Sequence, residues 1–154
     1  MAAVIQFIEG NLMKKHIILL AMLVGGAGSA TAACPGSGYL NGNAVSSLLS
    51  GNTACSPANC TVAGGNCQWQ EFHQGTGSGT LIEQHSGTAV DPQETVGTWI
   101  VETTGPNNGQ ITHTYNGGGG SFPYRVNTNS PNQYSFCGPN GEFTFSVKLG
   151  PGPC

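Results

Sequence analysis

The chain predicts an all-β fold: a small antiparallel meander of about seven or eight strands, closed as a barrel or packed as a sandwich, with one short N-terminal helix and disulfide staples. Three observations carry this. Apolar and polar side chains alternate with a period of two, glycine- and asparagine-rich turn clusters interrupt them at short intervals, and six cysteines follow an export signal.

The export signal comes first. Met13-Lys14-Lys15-His16 precedes IILLAMLVGGAG and then SATAA, which gives a basic start, an apolar run too short to span a bilayer well, and a small-residue cleavage site ending at Ala32. Residues 1–32 are therefore read as a secretory signal peptide, with Met13 a better start than Met1. Thr31 stands where a lipoprotein signal needs an aliphatic residue three before Cys34, which disfavours lipidation. The protein is expected outside the cytosol, in the periplasm or beyond the cell. No later apolar run is long enough for a membrane span.

About 120 residues remain, enough for one domain around one core. Residues 33–42 hold turn formers without periodicity and read as an irregular arm; residues 43–154 read as one all-β domain. Asn43 is placed to cap a helix over Ala44–Leu49, which Gly51 closes in a left-handed conformation. A short strand near Asn52–Cys55 follows. Two further runs flank a turn at Gly75–Ser78, and weaker strands cover Val96–Thr103, Ile111–Tyr115 and Tyr134–Cys137. The clearest are the last pair: Phe122, Tyr124 and Val126 share one face, as do Phe143, Phe145, Val147 and Leu149.

All six cysteines, Cys34, Cys55, Cys60, Cys67, Cys137 and Cys154, lie after the signal, and an even number in an oxidising compartment reads as disulfides. Cys60 and Cys67 bracket a short glycine-containing loop and should form a local staple. The other four tie the two tails either to the body, through Cys55 and Cys137, or to each other.

Leu48-Leu49-Ser50-Gly51-Asn52-Thr53 after a short helix, with Gly97-Thr98-Trp99 inside a strand, resembles small exported bacterial proteins of the lipocalin-like, calycin type. Lipocalins carry Gly-x-Trp on their first strand, whereas here it falls mid-chain. The resemblance implies a barrel that binds a small ligand or a protein and performs no catalysis.

Composition narrows the partners. Six acidic residues after the signal, Glu71, Glu83, Asp91, Glu94, Glu102 and Glu142, face only Arg125 and Lys148, so there is no basic patch for nucleic acid or anionic membrane. A neutral skin of Gly, Asn, Thr and Ser suits sugar contact or self-association into a homo-oligomer or polymer.

The stretch WQEFHQGTGSGTLIEQH, residues 69–85, repeats Glu-x-His at Glu71/His73 and Glu83/His85 on either side of the turn. In one hairpin register the two pairs meet as a cluster, and a slip of one residue puts them on opposite faces. A zinc site needs three or four locked ligands with a supporting shell, so neither metal nor cofactor is expected. There is no Gly-x-Ser-x-Gly elbow and no spare cysteine; Glu71 and Glu83 are the carboxylates a hydrolase would draw on. His113 is in phase with Ile111 and Tyr115 and is expected to face the core. Trp99 reads as a core plug and Trp69, between two glutamines, as a surface aromatic.

These observations favour a secreted, non-enzymatic binding module for a small apolar ligand, glycan or protein. Trp69, Glu71, His73, Glu83 and His85 are its candidate contact residues. A structural subunit of a surface layer, matrix or filament is the alternative, and a metal-dependent or carboxylate hydrolase the third reading.

Overall fold

The structure, a computed structural model, describes residues 34–84 and 93–154; residues 1–32, expected to be a signal peptide, and His85 lie outside the described residues. The eight strands β1 (Asn52–Ser56), β2 (Trp69–Gly75), β3 (Ser78–Glu83), β4 (Glu94–Val101), β5 (Gln110–Tyr115), β6 (Gly120–Ser130), β7 (Gln133–Gly138) and β8 (Gly141–Leu149) each pair antiparallel with the next. β8 returns to β1 with Ala54 opposite Val147, and the sheet closes as a barrel. The barrel, not the sandwich, is realised. Closure satisfies the strand edges that an open meander would expose.

The alternating faces fall as the sequence pattern requires. Trp99, Ile111, Val126, Phe136 and Phe145 are buried and pack as the core, and Trp99, 2% exposed, donates its indole N–H to the Gln74 carbonyl at 3.1 Å. Gly97 precedes Trp99 because two strands approach closely there: a Cβ at this position would collide with the carbonyl of Thr114 on β5.

The helix α1 (Gly42–Leu49) begins two residues earlier than expected, and its cap is Asn41 rather than Asn43. The Asn41 side chain accepts from the Ala44 amide at 3.0 Å, satisfying a donor that the helix itself cannot. Gly51, at φ +70°, ends it as anticipated. Val45 and Leu49 on α1 are fully buried, and the Gly51 amide bonds to the His73 carbonyl while Ser50 receives the Gly77 amide. The helix thus plugs the end of the barrel that carries the β2–β3 turn.

Three disulfides join Cys34 to Cys137, Cys55 to Cys154, and Cys60 to Cys67. The local staple is the expected one, and of the two alternatives for the tails the chain adopts anchorage to the body. Among the described residues no helix is long and apolar enough to cross a membrane.

Candidate functional site

At the end opposite α1 the barrel opens into a cavity of about 320 Å³. Its wall consists of Trp69, Tyr115, Phe122, Tyr124, Phe136 and Phe143, and its two polar side chains are Glu71 and His113. Every one of these positions lies on the inward face near the mouth of β2, β5, β6, β7 or β8. Inward parity therefore turns a sequence of unrelated strands into one aromatic chamber.

The rings brace each other. Phe136 stacks on Phe145 with centroids 4.1 Å apart, Tyr124 lies edge-on to Phe143 at 5.9 Å, and Tyr115 meets Phe122 at 5.9 Å. Trp69 packs on Phe136 at 6.0 Å and is half-buried. This corrects the surface placement that its flanking glutamines suggest: Trp69, Glu71 and His73 are each two residues apart and so all turn inward.

Below the rings runs a chain of buried polar groups. Tyr115 donates its hydroxyl to Glu71 Oε1 at 2.7 Å, and Glu71 Oε2 stands 3.9 Å from His113 Nδ1. The Nε2 atoms of His113 and His73 are 3.1 Å apart, and His73 Nδ1 lies 3.1 Å from the Glu71 backbone oxygen. A carbonyl oxygen only accepts, so His73 carries its proton on Nδ1 and its Nε2 accepts from His113. Neutral His113, having given its one N–H to His73, presents a bare lone pair at Nδ1 toward Glu71.

Burial sets the charges. His73 is fully buried, and desolvation lowers its pKa to about 4, against a smaller opposing effect of its bond to the Glu71 carbonyl. His113 is held well below the ordinary imidazole value by burial first and by His73 second. Both rings are neutral at pH 7. Glu71, 6% exposed, is raised to about 7 by burial, against the Tyr115 hydrogen bond, with a further push from Glu83. Burial and the neighbouring Glu71 also push the Tyr115 phenol above its ordinary range, so it stays a donor.

The β2–β3 register decides the fate of the paired Glu-x-His motifs. Glu71 is opposite Glu83, and His73 is opposite Leu81, so His73 does not meet Glu83 across the hairpin, and His85 lies outside the described residues. His73 reaches across the interior to His113 of β5 instead. The perturbed carboxyl of Glu71 and the participation of Tyr115, Tyr124 and the phenylalanines in one cavity were not visible in local sequence; the only cue was that these residues share inward parity. His113 faces the interior as its phase predicts.

Three sulfurs, those of Cys60, Cys67 and Cys154, lie within 4.8 Å of one another. All are consumed in disulfides and so provide no thiolate for a metal. Comparison with protein-family models, curated proteins and solved structures finds no match to this chain.

Proposed function

We propose that the protein is a binding module that takes a small, largely apolar molecule into the mouth of its barrel. The aromatic chamber above Glu71 is the observation that carries this reading. Its volume falls at the lower end of the range for small-molecule sites, and its make-up of many rings with few polar groups is the usual one for such sites. The disulfides and the leading basic-apolar segment support a place of action outside the reducing cytosol, after export.

A filament or coat subunit gains less. Every strand of the described barrel has a partner on both sides, so addition of a strand from another copy has no free edge to use. A carboxylate hydrolase draws on the opposed Glu71 and Glu83, yet only Glu71 lines the cavity.

Titration of the disulfide-intact protein with 2-naphthol, followed by tryptophan fluorescence, tests the reading. Saturable one-to-one binding is expected, weakened at least about tenfold in Trp69→Ala with the near-UV spectrum of the other rings retained. Absence of saturable binding at millimolar probe would overturn it.

A further inference from the structure

We propose that the preferred ligand is a cationic amine, its ammonium held between Glu71 and His113 and its apolar body among the rings; this rests on the small-ligand reading above. Glu71 Oε2 and His113 Nδ1 are both acceptors, 3.9 Å apart, too far to bond to each other and close enough for one group with two or more donors to serve both. An ammonium carries three. Tyr115 already serves the other carboxylate oxygen.

From residue 34 onward the only Lys and Arg are Lys148 and Arg125. Lys148 donates to the Pro151 carbonyl, and Arg125 donates to the carbonyls of Asn108 and Pro106 in the β4–β5 loop, which lies against the start of α1 at the end opposite the cavity. No cation of the described chain compensates a Glu71 carboxylate, and a buried unpaired carboxylate is costly. A ligand cation supplies the missing charge.

The faces of Trp, Tyr and Phe attract a cation, and six of them around one carboxylate provide both halves of an ammonium site. The cavity holds the equivalent of about ten waters, enough for an amine with one ring or a short alkyl chain.

The groups facing Glu71 are His73 on its own strand, Glu83 on β3, His113 and Tyr115 on β5 and Tyr124 on β6. Of these, the histidines are neutral and the phenols protonated at pH 6–8, so amine binding exchanges the Glu71 proton for the ligand's charge.

The test is calorimetric titration of the disulfide-intact protein with 2-phenylethylamine and with its neutral counterpart 2-phenylethanol at pH 6 and 8. At pH 8 the amine should bind at least about tenfold tighter. At pH 6 its affinity should fall about tenfold, with close to one proton released per amine bound, as read from two buffers of different ionisation enthalpy; the alcohol should change neither way. Glu71→Gln, which keeps the shape and an acceptor for Tyr115, should abolish the amine's advantage and leave the alcohol within about twofold. Equal or tighter binding of the alcohol, or amine binding without proton release, overturns the amine assignment and leaves the small-ligand reading standing. Failure of both probes, together with 2-naphthol, overturns both.

Discussion

Replacing Glu71 by Gln should alter the pH dependence of stability in a way that isolates this one carboxyl. In the folded protein its pKa is raised from 4.5 to about 7, chiefly by burial. A carboxyl that binds its proton more tightly when folded adds stability below its unfolded pKa. That stability drains away as the pH climbs to the folded value. At about 1.4 kcal/mol per pH unit, the displacement corresponds to about 3 kcal/mol between pH 4.5 and pH 7. His73 and His113 act with the opposite sign: their lowered pKa values mean stability present above about 6.5 and lost as the pH falls toward the folded values. A single profile of the parent protein mixes these slopes. The difference between parent and Glu71→Gln cancels the histidines, because both proteins retain them. Urea denaturation with disulfides intact, at pH 4.5, 5.5, 6.5 and 7.5, should therefore show the parent losing about 3 kcal/mol relative to the variant across the series. A difference that stays constant over that range would refute the assignment of a raised pKa to Glu71.

Further outcomes follow from packing and crosslinks. Trp99→Ala should cost about 3–5 kcal/mol in urea denaturation, because it empties the centre of the core and frees the Gln74 carbonyl. Gly97→Ala should cost about 1–3 kcal/mol through the collision with the Thr114 backbone, measured as a fall in urea midpoint with unchanged m. Cys34→Ser combined with Cys137→Ser opens a loop with a sequence separation of 103 and should lose about 4–5 kcal/mol by the chain-entropy model. Asn41→Ala should lose about 1 kcal/mol through the N-cap, detected as a lower melting temperature.

The neutrality of the surface is consistent with the arrangement inside. With few charges outside and Glu71 the carboxyl that lines the chamber, the field there is dominated by Glu71, and among the described residues no nearby cation offsets changes in its protonation. The two histidines beneath it, locked into one tautomeric order by a backbone carbonyl, keep an acceptor and not a donor facing the chamber.

Local sequence determined the features that depend on near neighbours. A period of two named the inward residues of β6 and, apart from the exposed Leu149 at its end, those of β8; the glycines of residues 75–79 marked the first hairpin, and a sequence separation of 7 between Cys60 and Cys67 sufficed to predict their pairing. The helix was legible too, although its cap was not, because Asn41 and Asn43 are chemically alike and only the direction of the entering chain selects between them. Closure was decided by tertiary structure. Whether the meander curls into a barrel depends on twist and bulges accumulated over all eight strands, such as those at Leu81/Ile82 and Thr128/Ser130, and not on any one of them. Closure alone brings Glu71 of β2 to Tyr115 and His113 of β5 and turns Trp69 from a residue between two glutamines into part of an aromatic wall. A carboxyl's pKa and a cavity's lining are sums over residues distant in the chain, and those sums exist only once the sheet has met itself.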